Sequence, residues 1–345
     1  MRVKAVMWAI QNPTKKLFFV VVHYEHVKRA SLLEMELKDF FQGQHNLQNV
    51  EVLGLPTNPK DTLSRLLRLM AIRPHASLMV DELIMPGGKD KEEMKKEHEN
   101  FKKELEQLQN HQSKAPLWIA CAGVTEGSAN HFERSYLKTI LPPAFHFPEM
   151  DVPLRNTKET LAMAGLDENT DVKGLGNYCA STRTRPVYKI PDYLMTGVRG
   201  KEFLVNITHD KEEVMKAVEA ASRNLLSRTG GLGFPLLCNV CTNSTLDTVK
   251  RGVVRAGAAV LVYQGTCNEV EVEQWLRRRR NGEEERVLIA DPDASRGWEA
   301  SHVLVVDLSG LGLSNLIMRT VGYCAVVKQA SDLFSYSNHN QTYVQ

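Results

Sequence analysis

"SLMVDEL", residues 77–83, decides the fold class. An apolar run, Leu78-Met79-Val80, ends abruptly in Asp81 and Glu82. A short run that is apolar throughout suits a strand covered on both faces, the usual state of a strand inside a parallel sheet. Two carboxylates at the tip of such a strand are costly to bury unless a cation or a reaction uses them. Similar runs lie on both sides of it: "LFFVVVHY" (17–24), "APLWIACAG" (115–123), "FPLLCNV" (234–240), "AAVLVYQ" (258–264), "RVLIAD" (286–291) and "SHVLVVD" (301–307). "VEVLGL" and "KEFLVNI" are shorter strands.

Segments with helical spacing separate these strands. Residues 2–11 place Val3, Val6, Met7 and Ile10 on one apolar face. Ser31 followed by Glu34 opens a helix over 31–41 with a capping-box pattern. Prolines bound a helix over 58–74, and further helices fall at 130–141, 210–228 and about 244–256 and 268–280. Strands alternating with helices imply parallel sheets with right-handed crossovers. A chain of 345 residues has room for two such domains. The expected division is 1–148, 149–330 and a tail over 331–345.

Residues 87–114 are a Glu/Lys-rich island with few apolar residues. Their composition reads as a solvated helical insertion, expected to be dispensable for folding.

Composition narrows the class. The chain is 43% hydrophobic and 24% charged, with a formal net charge of +2. That balance fits a globular protein and does not announce nucleic-acid binding, so any basic surface is local. No apolar run reaches the roughly 20 residues that span a bilayer. The six cysteines sit mostly in apolar company, which suits reduced, buried thiols and an intracellular protein, cytoplasmic or nuclear. Cys238 and Cys241 form a lone CxxC with no second pair at zinc-ribbon spacing, so it reads as a strand-end pair.

An acid pair after a buried strand is where nucleotide hydrolases hold a metal-binding and a water-polarising carboxylate. Those enzymes also need the phosphate loop G-x-x-x-x-G-K-[ST]. Gly precedes Lys only at Gly88-Lys89 and Gly200-Lys201, with Leu83 and Met195 where the first Gly belongs. "TGGLGF" (229–234) has the glycines and no Lys. The expectation is a chain that begins just after this loop.

Four ordered stretches carry a family resemblance. "MVDEL", "VPLRNTKETLAMA" (152–164), "VLIADPDASRGWEASHVLVVD" (287–307) and "MRTVGYCAVVKQA" (318–330) resemble successive motifs of superfamily 1 helicases of the UvrD/Rep type. The Arg-Asn of "LRN" also resembles Schlafen-type helicase-like domains. The resemblance implies two RecA-like α/β domains, the first lacking its first strand and phosphate loop. It further implies ATP with Mg²⁺ as cofactors and single-stranded DNA or RNA as partner.

Residue by residue, the resemblance gives Asp81 the Mg²⁺, through water, and Glu82 the attacking water. Arg155 would reach the γ-phosphate, and Glu299 the ribose, with Gly297 allowing close approach. The last arginine finger falls on Lys328, with Arg319 as its substitute. A lysine is a point charge where the motif has a forked guanidinium. "LWIACAGVTEG" also lacks the Gly-Asp and Gln usual after the third motif strand. Tyr24 or His26 would stack on a base, Lys28 and Arg29 would meet phosphate, and Trp298 would stack or pack. "STRTRPVYK" (181–189) would track a backbone, whereas "RRRR" (277–280), balanced by Glu283, Glu284 and Glu285, reads as a solvated turn. Three readings stay open: a helicase-like ATPase core inactive as this chain, a non-catalytic nucleic-acid or protein-binding scaffold, and a nucleotide-dependent signalling switch.

Overall fold

The computed structural model describes residues 1–24, 29–73, 75–83, 91–111, 116–121, 160, 200–205, 210–239, 243–264, 269–308 and 316–329. The chain divides into two compact units, Met1–Glu149 and Met150–Gln345. Each is α/β and built on a parallel sheet, as the alternation of elements requires.

The first unit runs α1 (Arg2–Gln11), β1 (Leu17–Tyr24), α2 (Leu32–Lys38), β2 (Val50–Thr57), α3 (Thr62–Ile72), β3 (Ser77–Leu83), α4 (Lys91–His111) and β4 (Leu117–Cys121). Its sheet has the order β2-β1-β3-β4, all neighbours parallel. Ser31 caps α2 as its sequence promises, its hydroxyl accepting the Glu34 N–H at 3.1 Å. The Glu34 carboxylate does not close a capping box; it accepts from Lys38 at 2.8 Å.

Two expectations fail in this unit. The apolar face of α1 is exposed: Val3 is 72%, Met7 56% and Ile10 65% accessible. Ala5, Trp8 and Ala9 are buried instead. Two alanines let the helix lie close to its neighbours. Asn49 then fixes it there, its amide donating to the carbonyls of Ala9 and Asn12 at 3.0 and 3.1 Å.

The second failure concerns the charged island. Within it, α4 is a 21-residue helix whose Phe101, Leu105 and Leu108 are buried in one core with Leu63, Leu66 and Met70 of α3 and the apolar rows of β1 and β3. Spacing of four and three puts those residues on one stripe, and a stripe that narrow suffices for one-sided packing. Lys60 holds the charged side of the contact, 2.8 Å from Glu93 and 3.1 Å from Glu97.

The second unit runs β5 (Glu202–Val205), α5 (Lys211–Thr229), β6 (Pro235–Asn239), α6 (Asn243–Arg255), β7 (Val260–Tyr263), α7 (Glu269–Arg280), β8 (Val287–Ala290), β9 (Ala300–Asp307) and β10 (Thr320–Gln329). Its sheet has the order β5-β10-β9-β6-β8-β7, again parallel throughout. The core on one face joins Val214, Val218, Ala221 and Leu225 of α5 to Leu304 and Val306 of β9 and Ala325 and Val327 of β10. Asp210 caps α5, accepting the Glu212 N–H at 2.9 Å. Gly230, at φ 68, ends the helix in the left-handed conformation that favours glycine.

Candidate functional site

Ligands of open parallel sheets collect beyond the carboxyl ends of the strands where the strand order reverses. In the first sheet that reversal lies between β1 and β3, because the chain leaves β1 for β2 on one side and returns to β3 on the other. Asp81 pairs in register with Val21 at this seam. The β3 core up to Val80 is buried, whereas Asp81 and Glu82 are half-buried.

The backbone changes character at the acids. Register with β4 slips between Val80 and Leu83, so the acid pair sits on a bulge. Glu82 has φ 57, a left-handed conformation that costs a non-glycine residue about 1–2 kcal/mol. The Asp81 carboxylate accepts the Glu82 N–H at 3.1 Å, which holds the turn. Such strain concentrates at sites where side-chain aim matters more than stability. Glu82→Gly should therefore raise the stability of the first unit by about 1 kcal/mol, read as an upward shift of its chemical-denaturation midpoint. An unchanged or lower midpoint would show that the backbone there is unstrained.

His23 is a residue that sequence reasoning missed. It is 4% exposed, lies two residues beyond Val21 on β1, and so falls on the same face of the sheet as Asp81. A polar residue near the carboxyl end of an otherwise apolar strand was the available signal.

Among the described residues no group of three metal-ligating side chains occurs. Mg²⁺ commonly takes one or two carboxylates and completes its shell with water and substrate phosphates, a demand that Asp81 meets.

The second unit separates residues that the sequence grouped. Asp291 accepts the Ala294 N–H at 2.8 Å, and Ser295 donates to the Pro292 carbonyl at 3.0 Å, winding 291–297 into tight turns. Gly297 closes them at φ 69. The connection delivers Glu299 directly before the amino end of β9, not beyond the carboxyl edge of the sheet. The Ala300 N–H donates to the Arg319 carbonyl at 3.0 Å, so Arg319 belongs to the same amino edge. Lys328 is nine residues further along β10, roughly 30 Å away at strand rise. Arg319 therefore cannot substitute for Lys328 at one site.

Lys328 is also engaged within its own sheet. It is 6% exposed, lies 3.4 Å from the Glu202 carboxylate and stands in register with buried Asp307. Trp298 is 2% exposed, so its ring packs inside the unit and offers no open face to a base. Arg155, His26 and Lys28 lie outside the described residues, as does the 181–189 stretch. Tyr24 closes β1, and Arg29 is half-buried just before α2.

"TGGLGF" has structural work to do. Gly230 and Gly231 take φ 68 and φ 88, and Gly233 brings β6 against the backbone of Arg286. The arginine run at the end of α7 is partly spent on structure too: Arg278 donates to the Glu283 carbonyl at 3.1 Å and Arg279 to the Gly233 carbonyl at 3.2 Å.

Strand direction and order define the class: a two-unit parallel α/β protein with an acid pair at the switch point of its first sheet. No known family model matches the chain, and no curated protein matches it. Among solved structures the chain is similar to S. cerevisiae Dbp5 bound to RNA and ADP BeF3 (14% identity, TM-score 0.49, covering 99% of this chain and 80% of that one). It is also similar to the DUF1998 helicase MrfA bound to DNA (9%, 0.45, 99% and 44%) and to the Escherichia coli DEAH/RHA helicase HrpB (11%, 0.45, 96% and 39%). These likenesses are distant, and the class rests on the strand order itself. No helix among the described residues is long and apolar enough to cross a membrane.

Proposed function

We propose that this chain is a helicase-like NTPase core of RecA-like architecture that engages single-stranded nucleic acid and does not turn over ATP by itself. The observation that carries the reading is the acid pair at the switch point of the first sheet, with Glu82 held in a left-handed backbone. Asp81 would hold Mg²⁺ together with nucleotide phosphates, and Glu82 would orient water towards the γ-phosphate. Arg155 and Lys328 keep the roles that the superfamily 1 resemblance gives them, as parts of this proposal; Glu299, delivered to the amino edge of the second sheet, and Gly297, which closes the turns before it, are left out because a nucleotide would bind beyond the carboxyl edge.

The expectation that the chain does not turn over ATP rests on this sequence having no G-x-x-x-x-G-K-[ST] stretch. Without loop amides and a lysine on the β- and γ-phosphates, Asp81 would hold Mg²⁺ and nucleotide only weakly. The purified chain should show no Mg²⁺-dependent ATP hydrolysis above the uncatalysed rate in a phosphate-release assay. Steady turnover that disappears in Asp81→Asn would overturn this.

A second reading has its own support. Lys328 is already paired with Glu202, which suits a non-catalytic scaffold that keeps the fold and has lost the chemistry. Binding of a fluorescent single-stranded oligonucleotide, followed by anisotropy, is expected under either reading. Its absence would remove nucleic acid from both and favour a nucleotide-dependent switch.

A further inference from the structure

We propose that the amino edge of the second sheet carries a site for a phosphate group, built by Arg228, His302 and Ser301. It lies at the end of the sheet away from the carboxyl edge and does not rest on the nucleotide-hydrolase reading.

Arg228, in the last turn of α5, is exposed yet held in place. Its guanidinium lies 4.0 Å from the centroid of the Tyr323 ring. Its Nε donates to the Asn224 side-chain oxygen at 3.3 Å, and the same oxygen accepts the Tyr323 hydroxyl at 2.7 Å. One asparagine thus fixes both the ring and the cation stacked on it. A guanidinium tethered through Nε still presents its two terminal nitrogens as a fork, the geometry that matches phosphate oxygens. Among the described residues no carboxylate pairs with Arg228.

His302 stands beside this ledge on β9, its ring 6.4 Å from that of Tyr323. Its Nδ1 is 3.1 Å from the Ser301 hydroxyl, and Ser301 is exposed. Burial, then the charges of Arg279 and Arg228, hold the imidazole below its ordinary pKa. No carboxylate is among the groups that shift the His302 imidazole, and those of Glu271 and Glu284 are paired with Arg286, at 2.7 and 2.9 Å. The edge therefore concentrates positive charge next to an imidazole, a hydroxyl and a preset guanidinium fork. A phosphate dianion answers all three: it accepts from the fork, from Ser301 and from the imidazole, which it would favour in its protonated form.

Imidazole resonances of the full chain, followed by NMR during titration with inorganic phosphate at constant ionic strength, provide the test. The His302 pKa should rise as phosphate binds, with chloride at the same ionic strength giving no such rise. Arg228→Gln should weaken the phosphate response ~10-fold or more, as expected for loss of a charge-assisted pair. A His302 resonance that ignores phosphate, that moves equally with chloride, or that responds equally in Arg228→Gln overturns the site. Comparing single-stranded oligonucleotides with and without a 5′-phosphate identifies the source. A response to the phosphorylated strand alone indicates a terminal phosphate, and an equal response to both indicates a backbone phosphodiester. A response to inorganic phosphate alone indicates a small phosphorylated ligand.

Discussion

Replacing Phe101, Leu105 and Leu108 by alanine should unfold the first unit. These side chains are 4%, 2% and 0% exposed and fill one core with α3 and the sheet. Truncating a buried Phe costs about 3–5 kcal/mol and a buried Leu about 2–5 kcal/mol. Even with partial collapse of the cavities and some non-additivity, the sum passes ~5 kcal/mol, the lower end of the stability of a whole domain. Hydrogen exchange read by mass spectrometry should show β1 and β3 losing protection, while the strands of the second sheet keep theirs. The charged face of α4 sets the contrast. Lys60, Glu93 and Glu97 form a solvated cluster, and replacing Lys60 by Met should leave the denaturation midpoint of the first unit nearly unchanged. Protection of β1 unchanged in the triple variant would mean that α4 does not contribute to the core.

The same helix shows what the sequence made legible and what it hid. Strands announce themselves when both faces are covered, so "LFFVVVHY" and "SHVLVVD" read directly as β1 and β9. A helix covered along one narrow stripe leaves most of its surface to Glu and Lys, and average composition then misleads. In α1 the error ran the other way. Val3, Met7 and Ile10 looked like a buried face, but the packing surface went to Ala5 and Ala9, whose small side chains allow a closer approach.

The candidate site divides along similar lines. Asp81 and Glu82 could be found because acids interrupt a buried strand. The left-handed backbone at Glu82 and the shared face with His23 depend on a bulge and on strand order, neither of which local sequence encodes. Arg319 and Lys328 looked interchangeable along the chain. Their separation depends on β10 running as one strand between them. The phosphate-group site was invisible in sequence because its residues come from α5, β9 and β10, and their meeting is a product of the sheet order β10-β9-β6.

Gly233→Ala should be among the most damaging single substitutions in the second unit, costing about 3 kcal/mol or more. A Cβ at Gly233 would overlap the carbonyl oxygen of Arg286, which is backbone and cannot swing aside. That carbonyl already accepts the Trp275 indole N–H at 2.8 Å, and Trp275 is fully buried. The Gly233 N–H donates to the Glu284 carbonyl at 2.7 Å, and its own carbonyl accepts from Arg279 at 3.2 Å. Moving the glycine therefore disturbs the start of β6, the entry to β8 and the anchoring of α7 together. Gly54→Ala is the control. A Cβ there would also meet an occupied position, but the obstacle is the Glu34 carboxylate, the end of a flexible side chain that can rotate away. Denaturant titrations of the two variants should differ by at least ~2 kcal/mol, with Gly233→Ala the weaker. The functional consequence is separable from the stability loss. Arg279 acts on His302 through its charge, so even a folded Gly233→Ala fraction should show an altered His302 titration, while Gly54→Ala leaves that titration untouched. Equal stability of the two variants would show that the β6–β8 junction yields as easily as a side chain.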